Sequence, residues 1–249
     1  MSLTRRTLAC LSLGALAAPR LACAQANGSA PSVVELFTSQ GCSSCPPADA
    51  LMLELTKDRN FIPLTYAVEI WDYLGWKDTL ARPAFTRRQK AYAEMVAGKR
   101  VYTPQAIING RMHCVGSDFS SIARLRAATP ARGVKLALQA SGDGWRASGN
   151  LPPTLDATGR LILLPFRSRE TVQIGRGENS GRAITYANVV RDIIDLGVLE
   201  GGEFETRISR KDVAVDRADG FALLMQAGSI EMPGVVLAGA MVDPAGIRV

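Results

Sequence analysis

The run from Val33 to Asp49 constrains the fold of this chain more than any other feature of its sequence. It opens with an apolar, β-branched segment typical of a buried strand, reaches Cys42-Ser43-Ser44-Cys45 directly after a glycine, and then enters a helical pattern. Pro46 and Pro47 suit the first helical turn, where their missing N–H groups would have no partner. This order predicts a cysteine pair at the N-terminus of a helix, where unsatisfied N–H groups and the helix dipole favour thiolate over thiol.

The N-terminus has the pattern of a secretory signal peptide. The arginine pair Arg5-Arg6 precedes a short apolar run, and small residues then lead to a cleavage site after Ala24 or Ala26. We therefore assign residues 1–26 to the signal. Paired arginines occur in twin-arginine signals and also in ordinary secretory signals, so both export routes stay open.

Export changes what the composition implies. Cleavage leaves Cys42, Cys45 and Cys114 as the cysteines of the mature chain, and the loss of three arginines lowers the formal net charge from +6 to +3. This mildly basic charge gives no reason to expect a nucleic-acid partner. No later stretch is long enough to span a bilayer, so we expect a periplasmic or secreted protein whose dithiol can stay oxidised.

Hydrophobic periodicity predicts an α/β unit that continues beyond the dithiol. An aromatic-rich loop without a clean period covers residues 71–78, and Thr103-Pro104 precedes a hairpin with an Asn-Gly turn. The predicted elements are a strand at 33–38, a helix at 46–58, a strand at 61–70, a helix at 82–97, strands at 105–109 and 112–115, and a helix at 118–128.

The segment from Val33 to Ala128 resembles the thioredoxin superfamily. The resemblance rests on Cys42 and Cys45 at the strand–helix junction and on Thr103-Pro104 before the hairpin. It implies that the peptide bond before Pro104 is cis and that this proline lies against the dithiol, where it shapes a substrate groove. More closely, the chain resembles a family of exported bacterial thioredoxin-like proteins still classed as a domain of unknown function, through residues 34–49, 71–78 and 101–105.

Each candidate residue has a functional and a structural interpretation. Cys42 is the candidate nucleophile, more exposed and at the helix cap, and Cys45 the resolving cysteine; the alternative is an inert structural disulfide. Glu35, on the strand that leads to the dithiol, is either an acid that passes the proton of Cys45 or a surface or capping carboxylate.

The aromatic loop supplies further candidates. Trp71, Tyr73 and Trp76, together with Thr103 beside the proline, either line a substrate groove or cover a core.

The cysteines could also form a metal site. Cys42 and Cys45 with His113 and Cys114 would supply four ligands for zinc or copper. His113 and Cys114 are consecutive in a predicted strand, so their side chains should point to opposite faces. We therefore expect no metal site and no cofactor, with Cys114 a small buried apolar residue and His113 a surface residue.

Residues 129–133 look like a junction, which predicts a thioredoxin-like domain at 27–132 and a β-rich domain at 133–249. One helix, Ala187–Leu196, interrupts the second domain, in which we find no catalytic motif. About seven strands with turns between them predict a mainly antiparallel sandwich or barrel, at 134–141, 145–151, 160–166, 171–174, 203–208, 221–226 and 235–242. The fold class is accordingly α/β with a following β domain.

The sequence as a whole predicts exported thiol–disulfide exchange through Cys42 and Cys45, with protein thiols or disulfides of the periplasm as partners. Two alternatives remain. One is a periplasmic copper-handling protein that holds Cu(I) on the reduced dithiol. The other is a non-redox module that binds peptides or proteins beside a structural disulfide.

Overall fold

A computed structural model describes residues 30–129, 134–152 and 159–249; the predicted signal peptide at 1–26 lies outside the described residues. The first half forms β1 (Ser32–Thr38), α1 (Pro46–Leu55), β2 (Phe61–Ala67), a 3₁₀ turn (Asp72–Leu74), α2 (Pro83–Val96), β3 (Gln105–Ile108), β4 (Met112–Val115) and α3 (Phe119–Ala128). The second half forms β5 (Lys135–Ser141), β6 (Gly144–Leu151), β7 (Gly159–Gln173), β8 (Ala183–Val190), β9 (Ile194–Leu199), β10 (Gly202–Ser209), α4 (Arg210–Val213), β11 (Gly220–Gly228), β12 (Pro233–Asp243) and β13 (Gly246–Arg248).

These strands form two sheets. The large one has the order β13-β12-β11-β7-β8-β2-β1-β3-β4, with β9 also paired to β7, and the small antiparallel one has the order β10-β6-β5. The pairs β1–β2 and β2–β8 are parallel, whereas β1–β3 is antiparallel. The predicted mixed α/β class is confirmed, and neither sheet closes into a barrel within the described ranges.

The large sheet contains strands from both halves of the chain. The halves meet where Thr65 of β2 pairs with Val189 of β8, and the Thr65 hydroxyl donates to the carbonyl of Ala187 at 2.6 Å. One hydrophobic cluster contains Tyr66 and Phe85 from the first half and Phe166 and Met241 from the second. The two halves therefore share a sheet and a core.

Strand β1 lies in the middle of this arrangement and is buried on both faces. Val34 and Leu36 belong to the cluster that includes Ala48 and Met52 of α1, whereas Val33 and Phe37 belong to the cluster on the opposite face. Side chains alternate along a strand, so β1 presents odd-numbered residues to one layer and even-numbered residues to the other. This alternation decides which side chains reach the α1 side, where the dithiol is placed.

Two predictions about the second half were wrong in detail. Residues 187–196 are not helical, because they contribute to β8 and β9. The sequence of a strand that is buried on both faces is a continuous run of apolar residues. The spacing of apolar residues cannot distinguish such a strand from a buried helix. The strands predicted at 160–166 and 171–174 are a single strand, β7, of 15 residues.

The longest helix in the described ranges, α2, has 14 residues. None of the helices there combines the length and the apolar character that crossing a membrane requires.

Candidate functional site

Cys42 and Cys45 form a disulfide at the start of α1, with their Cα atoms 5.4 Å apart. Cys45 is the N-cap residue of the helix, so the prediction that Cys42 occupies the cap was wrong. Cys42 is 5% exposed and Cys45 is 0% exposed, whereas Ser43 and Ser44 between them are exposed. Cys42 is therefore the more accessible cysteine, although the two serines form the exposed surface of the dithiol loop.

The helix N-terminus offers few free N–H groups to this disulfide. Pro46 and Pro47 occupy the first turn, as predicted, and carry no N–H. The N–H groups of Ala48 and Asp49 both donate to the carbonyl of Cys45, at 2.8 and 3.1 Å. The helix dipole remains favourable to a thiolate, but the donors that the sequence suggested are largely absent or occupied.

The peptide bond between Thr103 and Pro104 is cis, as the family resemblance implied. Pro104 and α1 approach one another over Gly116, where an added Cβ would lie 3.2 Å from the Cβ of Pro104 and 3.4 Å from that of Ala48. Thr103 accepts a hydrogen bond at 2.7 Å from the indole N–H of Trp71. The proline therefore lies on the same side of the sheet as the dithiol helix.

The aromatic loop packs on the dithiol loop, residues 39–44. A Cβ at Gly41 would lie 3.0 Å from the Cβ of Trp71, and the Trp76 indole N–H donates to the Gln40 side chain at 2.8 Å. Tyr73 is 75% exposed, with its ring centroid 6.1 Å from that of Trp71. Both tryptophans thus hold the polypeptide around the cysteines, and Tyr73 presents its ring to solvent.

Glu35 leaves β1 on the face opposite to α1, because it shares the odd-numbered face with Val33 and Phe37. It is fully buried and is not a surface or capping carboxylate. Arg88 of α2 donates to its two carboxylate oxygens at 2.7 and 3.1 Å, and the Tyr92 hydroxyl donates at 2.6 Å. The carboxylate that the sequence singled out is therefore fully paired in the core.

Asp49 is the buried acid on the dithiol side, and the sequence analysis missed it. Its side chain is on α1, four residues after Cys45, and residues at this spacing on a helix have Cβ atoms about 5–6 Å apart. Asp49 is 1% exposed, and neither carboxylate oxygen makes a hydrogen bond of normal geometry to the described residues. Burial raises the pKa of Asp49 to about 8; the nearby Thr38 hydroxyl lowers it in part, and the carboxyl of Asp78 adds to the rise.

Nothing in the sequence marks Asp49 as unusual, because an acidic residue in the first helical turn ordinarily complements the helix dipole. Helix α1 packs against β8, a strand of the second half, and Tyr186 of that strand lies close enough to Asp49 to interact with its charge. The Tyr186 hydroxyl is also buried without a partner among the described residues, and burial, followed by the charge of Asp49, raises its pKa. Asp49, Tyr186 and Thr38 thus form a buried group of unpaired polar atoms beside the dithiol helix.

A second buried acid, Asp78, anchors the dithiol loop from the aromatic side. Its carboxylate accepts the N–H groups of Gln40, Leu80 and Ala81 at 2.8, 2.9 and 3.1 Å. Burial raises the pKa of Asp78 to about 6 although these donors lower it. Unlike Asp49, Asp78 uses its carboxylate to accept hydrogen bonds from the backbone of the dithiol loop and of residues 80–81.

The second half of the chain also contacts the cysteines directly. In the loop of residues 174–182, which joins β7 to β8, the buried Asn179 donates from Nδ2 to the carbonyls of Gln40 and Cys42, both at 2.9 Å. Arg182 in turn donates to Asn179 Oδ1 at 3.1 Å. No local sequence pattern marks this loop, because its contact with Cys42 spans 137 residues of chain.

His113 and Cys114 do not approach the dithiol as a ligand set. His113 pairs across the hairpin with Ile107 and contacts the Tyr102 hydroxyl at 2.8 Å, whereas Cys114 packs partly buried with the α1-side cluster. Burial raises the pKa of the Cys114 thiol to about 11. Within residues 30–129, 134–152 and 159–249, no three or more His, Cys, Asp and Glu side chains are grouped to hold a metal ion.

The fold and the site define a mixed α/β protein with a disulfide at the start of a helix and a cis-proline on the same side of the sheet. The chain belongs to the DUF1223 family, described as a protein of unknown function, whose model matches residues 33–226. This confirms the prediction that the chain belongs to a family classed as a domain of unknown function.

Two solved structures resemble the chain. A crystal structure of a protein from Agrobacterium tumefaciens has a TM-score of 0.74 and 30% identity, and the match covers 87% of this chain and 95% of that one. HBP35 of Porphyromonas gingivalis has a TM-score of 0.57 and 13% identity, with 86% and 74% covered, which is a likeness of fold alone. No curated protein matches the chain.

Proposed function

We propose that this protein is a thioredoxin-like, exported thiol–disulfide exchange protein that acts on protein thiols or disulfides in the periplasm. The observation that carries the proposal is the Cys42–Cys45 disulfide at the N-terminus of α1, with Pro104 in the cis form on the same side of the sheet. The unpaired Asp49 carboxyl one helical turn beyond Cys45 supports it further, because exchange needs a group that accepts and returns a proton.

The reaction follows from the positions of the two sulfurs. In the reduced protein, the Cys42 thiolate attacks one sulfur of a partner disulfide; a mixed disulfide forms and the other partner sulfur leaves as a thiolate. Cys45 then loses its proton to Asp49 and attacks the Cys42 sulfur, which restores the Cys42–Cys45 disulfide and expels the second partner thiolate. The partner gains two electrons and the protein loses two, and the reverse sequence oxidises a partner dithiol.

Cysteine variants of the chain from residue 27 onward test this proposal. Wild-type protein should reduce or form disulfides in a model protein substrate in a glutathione buffer, and Cys42→Ser should abolish the exchange. Cys45→Ser should trap a mixed disulfide that mass spectrometry detects. Cys114→Ser is the matched control and should exchange normally. Undiminished exchange by Cys42→Ser would overturn the proposal.

The burial of Cys42 favours a second candidate, a module that binds polypeptides beside a structural disulfide. The reduction potential of the pair separates the two functions. A value of roughly −120 to −270 mV lies in the range of known exchange proteins, whereas a value below about −300 mV is typical of structural disulfides. The binding module predicts the lower value and a partner that still binds the double serine variant.

A further inference from the structure

A thiolate at Cys42 needs positive charge or N–H donors nearby, and α1 supplies few of them. Pro46 and Pro47 carry no N–H, and the N–H groups of Ala48 and Asp49 donate to the Cys45 carbonyl. Asp49 on α1 and Asp78, which accepts the Gln40 N–H of this loop, are two buried carboxyls that oppose a further negative charge. Within the dithiol segment the Ser44 hydroxyl lies 3.4 Å from the Cys42 sulfur. Further stabilisation has to come from another element.

The loop of residues 174–182 brings a cation and a dipole to this position. The Arg182 guanidinium donates to Asn179 Oδ1, and Asn179 Nδ2 donates to the Cys42 carbonyl, so a hydrogen-bonded chain runs from a positive charge to the backbone of Cys42. Each bond in such a chain polarises the next. Asn179 is 1% exposed, so solvent screens the inner part of this chain weakly.

The same chain also reduces the negative charge next to the sulfur. The Cys42 carbonyl accepts two N–H groups, from Asn179 at 2.9 Å and from Cys45 at 3.2 Å. A carbonyl oxygen saturated in this way repels a neighbouring thiolate less than a free carbonyl does. The other charged side chains of the loop, Arg176 and Glu178, are exposed and have opposite signs.

From these contacts we propose that Arg182 and Asn179, from the second half of the chain, are positioning residues that stabilise the thiolate of Cys42 in the reduced protein. This rests on the proposed function only in its consequence: a more stable Cys42 thiolate shifts the dithiol–disulfide equilibrium toward the dithiol and makes the protein a stronger oxidant of its partners. The loop is then part of the redox site.

Alkylation kinetics test the proposal without requiring any exchange activity. Cys42 is isolated in a Cys45→Ser, Cys114→Ser background, and its rate of reaction with iodoacetamide is measured against pH. Arg182→Met keeps the length of the side chain and removes its charge; it should raise the pKa of the Cys42 thiol and slow alkylation at neutral pH by about threefold to tenfold. Asn179→Asp, which places an acceptor against two carbonyls, should raise the pKa further.

Arg176→Met is the matched control, because it removes an exposed arginine of the same loop that has no bond to Asn179 in the described structure. It should leave the pKa of the Cys42 thiol unchanged. In protein with both cysteines, Arg182→Met should shift the equilibrium with glutathione toward the disulfide by a similar factor.

Equal pKa values in wild type and Arg182→Met would overturn the proposal, as would an equal effect of Arg176→Met. Arg182 is exposed, so its variant tests the proposal even if Asn179→Asp does not fold. An unshifted pKa in a protein that does exchange disulfides contradicts this inference alone. A shifted pKa in a protein that does not exchange them contradicts only the proposed function.

Discussion

Two buried carboxylates lie on opposite sides of β1, and they have opposite surroundings. Glu35 receives hydrogen bonds from Arg88 and Tyr92, and Arg88 is bonded in addition to Gln226 of β11 at 2.9 Å. Asp49, on the dithiol side, has both oxygens buried without such a bond among the described residues. A paired buried charge connects elements of the core, whereas an unpaired one is costly and calls for another explanation. One face of β1 therefore has a paired buried charge, and the other has the buried carboxyl that we propose as the proton acceptor.

The largest effect should come from breaking the Glu35 pair. Arg88→Met leaves a buried carboxylate without its cation and should lower the free energy of unfolding by about 3–5 kcal/mol. Chemical denaturation measures this change. Arg87→Met, at the exposed neighbouring position, should change stability by no more than about 0.5 kcal/mol. A small loss in Arg88→Met would mean that the network does not hold the two halves together.

The next effect concerns the rate of exchange. Asp49→Asn removes the proton acceptor that we propose for Cys45 and should slow the resolution of the mixed disulfide by about 100-fold, the lower end of what general acid–base groups contribute. The first attack by Cys42 should be nearly unaffected. Rapid quenching and mass spectrometry separate the two steps. If both steps slow equally, Asp49 acts on the fold and not on the proton.

Asp49 should also make stability depend on pH in a defined direction. Its pKa is raised to about 8 in the folded protein, above the ordinary value of 3.8, so between these two pH values the folded state keeps a proton that the unfolded state has lost. Stability contributed by this group is therefore greatest at low pH and falls as pH rises toward 8. Relative to wild type, Asp49→Asn should gain at least about 1 kcal/mol between pH 5 and pH 8 in denaturation experiments. A constant difference across that window would contradict the burial argument.

The smallest effect should come from the exposed ring of Tyr73. Tyr73→Ala should leave stability within about 0.5 kcal/mol of wild type, because the side chain is 75% exposed. It should slow exchange with a protein disulfide and leave exchange with glutathione unchanged, since glutathione offers little surface for the ring to contact. Equal slowing with both substrates would show that the ring supports the dithiol loop and does not contact partners.

The predictions that depended on local sequence agree well with the structure. The strand and the prolines lie where the pattern placed them, and the dithiol lies at the start of α1 as predicted, with Cys45 in place of Cys42 as the N-cap residue. The Asn109-Gly110 turn forms with φ angles of 50° and 63°, the left-handed conformation that these two residue types tolerate best. Turns and helix starts follow neighbouring residues, so a short window of sequence contains the needed information.

The sequence predicted less well wherever strands are buried on both faces. In β8, six of the eight residues are buried, and the alternation that marks a half-exposed strand is lost. The pairing of β8 with β2 connects residues far apart in the chain through Thr65 and Val189. No local pattern encodes a parallel contact of this kind.

By itself, the sequence determined a cysteine pair at the start of a helix, because the spacing of two cysteines and the prolines after them act within one turn of chain. Only the tertiary structure decided which acid accompanies that pair. Alternation along β1 directs Glu35 away to Arg88, packing of α1 against β8 brings Tyr186 close to the buried Asp49, and a loop 137 residues away brings Asn179 to Cys42. Burial and long-range hydrogen bonds depend on how distant elements pack, and a linear pattern of residue types does not contain that information.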